Sequence, residues 1–167
     1  MVNIGDYIQM GNYSQTANDD IKPIEWQVLT IEDNKMLLIS KYGLDTRRFD
    51  CNSNDWWNSE ISEWLNKDFY NKAFNEEEKK CIIRKFLLTK DEAEEYFANN
   101  EARKCKATEY AVKNGAYVDD NGYTCWWLRS MFDGFYQVYY VLSDGNFSHS
   151  SADYAGGVVR PVLWINL

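Results

Sequence analysis

The hydrophobic period of this chain changes twice, from two residues to a helical spacing and back to two, and that order restricts the fold more than any other feature. Tyr7-Ile8-Gln9-Met10, residues 24–29 and residues 35–40 read as short strands, the last two joined by a turn at Asp33-Asn34. The pattern predicts a β-hairpin preceded by an edge strand. From Asn58 onward Ile61, Trp64, Leu65, Phe69 and Ala73 recur at helical intervals, and Asn75 is placed to cap a second helix opening on Glu76-Glu77-Glu78. Thr89-Lys90-Asp91-Glu92 fits a capping box, and residues 108–113 read as another short helix ended by Asn114-Gly115. Strand character then returns. Asp120-Asn121-Gly122 signals a turn, residues 125–129 and 138–142 are strand-like, Ser143-Asp144-Gly145 turns the chain again, and residues 158–165 read as one final strand with Pro161 at an edge or bulge. Strands, then helices, then strands predict an α+β fold whose ends meet in one sheet.

A chain of 167 residues with no internal repeat or low-complexity linker is expected to form a single domain over residues 1–167. With 45% hydrophobic and 26% charged residues it is too apolar for a disordered chain. A formal charge of −8 without any Lys/Arg run speaks against nucleic acid as a partner, because that affinity comes largely from neutralising phosphates. No apolar run approaches the ~18 residues that span a bilayer, and the first six residues lack the basic-then-apolar pattern of a signal peptide. The expectation is a soluble chain without membrane insertion, cytoplasmic by default unless exported by another route or carried on a phage particle.

Residues 130–159 depart from everything around them. They contain no Lys, Arg or Glu, although about six or seven would be expected at the rate set by the rest of the chain. Phe132, Phe135, Tyr136, Tyr139, Tyr140, Phe147 and Tyr154 stand there among Ser, Asp, Gly, Asn and His. Rigid aromatics with small adaptable polar residues are the vocabulary of an antibody paratope. The opposing reading is that these rings are core, and alternation along residues 138–142 turns only one face outward. Residues 148–153, Ser-His-Ser-Ser-Ala-Asp, are too polar and irregular for core and are expected to be an exposed loop.

Six blocks carry a family resemblance: Gly5-Asp6-Tyr7-Ile8 with Gly11-Asn12-Tyr13, residues 23–29, residues 64–70, Trp126-Trp127-Leu128-Arg129-Ser130, Ser143-Asp144-Gly145, and residues 159–164. Together they resemble a bacterial family of uncharacterised domains placed with C-type-lectin-like folds. The resemblance implies a twisted antiparallel sheet, with N- and C-terminal strands paired and helices bracing it. Related modules serve as variable ligand-binding proteins of diversity-generating retroelements, in which adenine-directed mutagenesis randomises codons near the C-terminus. Under that rule Met131 and Gln137 are not randomised positions. The expected function is non-enzymatic recognition of a protein or glycan ligand. Phe132, Phe135, Tyr136 and Tyr139 are the expected anchors, with Leu142, Asn146, Ser148, His149, Ser150, Asp153 and Tyr154 as adaptable contacts.

Formylglycine-generating enzymes resemble the same fold and give the enzymatic alternative, which needs two neighbouring thiolates to bind copper. Cys51, Cys81, Cys105 and Cys125 form no CxxC motif, nothing marks Cys105 and Cys125 as such a pair, and all four are expected to be buried free thiols, with one disulfide the rival. His149 is the single histidine, so a His-rich metal cage is impossible. The calcium signatures of sugar-binding lectins are absent, and Asp119-Asp120-Asn121-Gly122 reads more simply as a turn. No metal, cofactor or catalytic residue is therefore expected. Glu76-Glu77-Glu78 and Glu94-Glu95 read as solvated helix faces. Arg129 and Arg160 are expected to pair with a buried carboxylate or carbonyl cluster, and Trp26, Trp64, Trp127, Leu128, Val162 and Trp164 to be core. A third reading, a module that forms oligomers through its exposed aromatics, stays open.

Overall fold

In the computed structural model, which describes residues 1–167, β1 (Tyr7–Ser14) pairs antiparallel with β2 (Ile21–Glu32), and β2 with β3 (Lys35–Ser40). Asp33 closes that hairpin at a φ of 51°. After β4 (Asp45–Thr46) and a 3-10 turn at Trp56–Asn58, α1 (Glu60–Trp64), a π-helical turn (Leu65–Phe69) and α2 (Tyr70–Ala73) form one continuous helical run. Its buried side chains are Ile61, Trp64, Leu65, Phe69 and Ala73, the residues whose spacing announced it. Next come α3 (Glu76–Cys81), β5 (Ile82–Phe86), α4 (Lys90–Tyr96), α5 (Asn100–Arg103) and α6 (Glu109–Lys113). Asn75 and Thr89 each close a full capping box, and the Thr108 side chain caps α6. The chain ends with β6 (Trp126–Met131), β7 (Gln137–Val141), β8 (Phe147–Ser151), β9 (Val158–Val159) and β10 (Val162–Asn166).

The architecture is α+β, with two five-stranded sheets in the orders β1-β2-β3-β10-β5 and β4-β9-β6-β7-β8. This corrects the expected pairing of first and last strands. β1 and β10 share a sheet, but β10 pairs with β3 and β5, because the hairpin already places β2 between β1 and β3. The single final strand is also corrected. It divides at Arg160-Pro161 into β9 and β10, which belong to different sheets, and Pro161 sits at the crossing with its carbonyl accepting from Ser40 N–H. Pro161 has no N–H to give a ladder, so the crossing is where it costs least.

A cluster of 37 buried apolar residues draws on both sheets and on the helices. Trp26, Trp64, Trp127, Leu128 and Val162 belong to it, whereas Trp164 is only half-buried and packs against it. In β10 the side chains of Leu163 and Ile165 point to one face and that of Trp164 to the other. The four cysteines are free, but only Cys105 and Cys125 are buried; Cys51 lies in a loop and Cys81 ends α3, and both are exposed.

Candidate functional site

Strands β6, β7 and β8 form an antiparallel ribbon that presents most of residues 130–159. Tyr139 lies opposite His149 and Val141 opposite Phe147, so alternation puts these side chains on one face with Gln137 and Ser151. Phe132 stacks on His149 with ring centroids 3.5 Å apart and planes 9° from parallel, and meets Tyr139 edge-on at 5.4 Å. The imidazole is oriented by Gln137, whose Oε1 lies 3.2 Å from Nδ1. Lys90 from α4 reaches over the Phe147 ring at 4.8 Å, and the Arg103 guanidinium lies 4.4 Å from the same ring. Cations from the helical region thus border an aromatic row that has none of its own.

The β6–β7 loop is fixed by one carboxylate. Asp133 Oδ1 accepts N–H bonds from Phe135, Tyr136 and Gln137, and these donors, Gln137 foremost, hold its carboxyl below the usual range. Buried Asn54 donates to the Asp133 side chain and to the Asp133 and Gln137 carbonyls. Phe135, 75% exposed, projects from this pinned loop, and Met131 and Phe132 are exposed beside it.

The remaining expected contacts are dispersed. Ser148 and Ser150 lie on the opposite face of β8, across from Tyr140 and Val138. Tyr154 packs edge-on with Trp127 and Tyr140 on that face and is half-buried. Tyr136 and Asp153 face each other. Their hydrogen bond is the main reason the Tyr136 hydroxyl is held above its ordinary pKa and the Asp153 carboxyl below its own. Leu142 and Asn146 sit at the β7–β8 turn, where Asn146 binds Asp144 and accepts from Asn100. Residues 148–153 are not the irregular loop expected. Residues 148–151 are strand, and Ala152 is fully buried. Sequence reasoning missed Lys90, seen only as a capping residue, and Asn54, for which no local signal exists.

Arg129 pairs with Glu92 at 2.7 Å and donates to the Leu87 carbonyl. Arg160 donates from Nε to the Ser40 carbonyl at 2.8 Å and stacks over Trp126, with no carboxylate partner. Burial raises the thiol pKa of both Cys105 and Cys125; Cys105 Sγ faces the Lys41 and Lys106 carbonyls, while Cys125 is touched by the Ser143 backbone. Asp119 accepts from the Asn121 and Tyr123 N–H groups around Gly122 at a φ of 85°, the geometry of a closed turn. No three His, Cys, Asp or Glu side chains converge as a metal cage would require, and no helix is long and apolar enough to cross a membrane.

A family model described as a domain of unknown function (DUF6273) matches residues 33–94 and 83–167. No curated protein and no solved structure matches the chain.

Proposed function

The chain belongs to the DUF6273 family, and from that premise we propose that it is a non-enzymatic recognition module whose binding face is the aromatic row of β6, β7 and β8. The observation that carries this reading is the exposed Phe132–His149 stack, with half-buried Tyr139 edge-on to it, beside a loop locked by Asp133 and Asn54. Large rings held in place before contact lose little entropy on binding. The ligand is a protein or a glycan. The expected anchors narrow to Phe132, Phe135 and Tyr139. The buried, protonated thiols of Cys105 and Cys125 weigh against the copper-oxidase alternative.

The test is a glycan array and a displayed-peptide library probed with the wild type and with Phe132→Ala, Phe135→Ala and Tyr139→Ala. Each truncation is expected to cost about 1–3 kcal/mol of binding, roughly five- to 150-fold in affinity. Retention of full affinity by all three would defeat the reading. A C-type-lectin-like chain path and diversification of residues 130–159 by a retroelement are part of the same proposal, supported by the family-like blocks and the missing Lys, Arg and Glu. A near-copy of this segment's DNA differing only at adenines, beside a reverse transcriptase, is the observation that diversification requires; sibling chains varying evenly along their length would refute it.

One observation favours a second reading, self-association. β8 is a sheet edge whose sequence, Phe-Ser-His-Ser-Ser, lacks the Lys and Pro that discourage edge pairing. Sedimentation at several concentrations separates the two, since an oligomer that covers this face leaves it unable to take another ligand.

A further inference from the structure

The two sheets have four edges, β1, β5, β4 and β8, and three of them are closed. β1 is broken by a bulge between Gln9 and Asn12, where Glu78 takes the Gly11 N–H, and α2 packs beside it. β5 bears Arg84 and Lys85 and loses register opposite Trp164 and Ile165. β4 is only two residues long and lies against α6. Bulges, charges, brevity and a covering helix are the devices by which proteins keep sheet edges from pairing. β8 has none of them. It runs from Phe147 to Ser151 in unbroken register with β7, carries no charged residue or proline, and pairs with nothing on its other side.

The ladder decides which groups this edge offers. At one end of the β7–β8 pair the Leu142 N–H bonds to the Asn146 carbonyl at 2.8 Å, and at the other the Ala152 N–H bonds to the Tyr136 carbonyl at 3.0 Å. Antiparallel pairs alternate between bonded and non-bonded, so Ser148 and Ser150 spend their backbone groups on β7, while those of Phe147, His149 and Ser151 point outward. Of these, the Ser151 carbonyl alone has a partner, the Tyr154 N–H. Side chains alternate too: Phe147 and His149 stand with the aromatic row, Ser148 and Ser150 on the opposite face. Exposed carboxylates bracket the strand, Asp144 before it and Asp153 after it. Hydrogen bonds, from the Asn146 backbone and from Tyr136 foremost, hold both carboxyls below the usual range. A second copy of β8 is therefore a poor occupant. In the antiparallel register that pairs all of β8 with itself, His149 faces its own copy and Asp153 comes beside the Asp144 of the other chain at both ends, like charge against like.

Taking β6, β7 and β8 as a recognition face, on which this step rests, we infer that the ligand is an extended peptide that adds to β8 as a further strand. Along Phe147–Ser151 it is uncharged and alternates apolar with small polar residues, and it is basic where it passes Asp144 and Asp153. Main-chain bonds to Phe147, His149 and Ser151 supply affinity whatever the sequence. The alternation supplies the choice, since every second side chain of the added strand lies beside Phe147 and His149 and the others beside Ser148 and Ser150. The net charge of −8 draws a basic segment toward the molecule, and the two carboxylates fix where its charges settle. A glycan has no row of N–H and C=O groups at strand spacing and would leave this edge unused.

Titration of the full chain, followed by amide chemical shifts and hydrogen exchange, uses three synthetic peptides of about ten residues, the extended length that spans Asp144 to Asp153. The first has an alternating Thr-Val core with Lys-Lys at each end, the second has Glu-Glu at each end instead, and the third is the first with every core amide N-methylated. The Lys-ended peptide is expected to bind and to protect the Phe147, His149 and Ser151 N–H groups from exchange, while Ser148 and Ser150 stay as they were. The Glu-ended and N-methylated peptides should bind at least about tenfold more weakly. His149→Pro, which removes an outward N–H from an edge strand, should also lose about tenfold or more, and His149→Ala, which keeps that N–H, less. The N-methylated peptide tests the same bonds on the unaltered protein, so the outcome does not hang on how the proline variant folds. Equal binding of the Lys-ended and N-methylated peptides, or no binding of the Lys-ended one, overturns the inference. Protection of the same amides on concentrating the chain alone overturns it in favour of a second copy. A glycan or library peptide that binds on Phe132 and leaves the Phe147 and His149 amides in free exchange overturns it too, while the recognition face itself would stand.

Discussion

Asp133 organises its loop more strongly as a carboxylate than as an acid, because three N–H groups converge on its Oδ1 and charge-assisted bonds are the stronger. Its pKa is lower folded than unfolded, so its stabilising contribution is present above the unfolded value, near 3.8, and is lost as pH falls through the folded one. The amide protons of Phe135, Tyr136 and Gln137 are therefore expected to titrate together with a midpoint below 3.8; a midpoint at or above that value would contradict the assignment. Asp45 has the opposite sign. Burial raises its pKa despite the 2.6 Å bond donated by Tyr13, so its ionisation works against the fold as pH rises. Gly145 adds a second prediction at this scale. Its φ is 84° and an added Cβ would overlap the Asn100 carbonyl, so Gly145→Ala should cost on the order of 2–4 kcal/mol in chemical denaturation. The turn itself was legible in Ser143-Asp144-Gly145. The need for glycine was not, since it comes from a residue 45 positions away.

At the scale of elements, the local signals that proved legible were those satisfied by neighbours in sequence. The capping box forms where Thr89 announced it, and Asn75, read as a cap, closes a full box too. The acidic run at Glu76-Glu77-Glu78, read as solvated, contains one exception. Glu78 Oε2 closes the box by accepting Asn75 N–H, while Oε1 accepts the N–H of Gly11, 2.8 Å away in the bulge of β1. The same bulge receives the Trp26 indole, which donates to the Met10 carbonyl at 2.7 Å. Glu78 thus ties α3 to β1 across a gap in the ladder that no periodicity reveals. Glu78→Ala is expected to cost about 1–3 kcal/mol, and Gly11→Ala more, because its Cβ would stand 2.6 Å from the Phe74 ring at a φ of 71°. Equal thermal midpoints for Glu78→Ala and Glu77→Ala, the latter an exposed neighbour, would show that the tie contributes nothing. The short strand β4 escaped the sequence reading for a related reason: two residues carry no period, and what makes Asp45–Thr46 a strand is Val158–Val159.

Arg160 sits where the two sheets exchange the chain. It is 3% exposed, donates to Ser40 of β3 in one sheet, and lies 4.9 Å over Trp126 of β6 in the other. The sequence suggested a partnered arginine beside Pro161, but not that its partners would come from separate sheets, because that depends on the chain dividing at that point. A buried guanidinium without a carboxylate, and with Nη1 unpartnered, is expensive to keep. Its return is mechanical, since one side chain couples the backbone of the first sheet to the aromatic core of the second. If the cluster of 37 residues makes the chain one cooperative unit, urea unfolding followed by tryptophan fluorescence and by far-UV circular dichroism should give coincident transitions. Arg160→Ala should then lower stability by about 2–5 kcal/mol, through the cavity and the Ser40 carbonyl left without its donor. Arg160→Met, which keeps contact with Trp126 and discards the buried charge, should recover part of that loss. The separation of signals is the decisive measurement. If Arg160→Ala splits the transition in two, the sheets are held together mainly at this crossing, and if it shifts one transition without splitting it, the shared core alone is enough to keep them a unit.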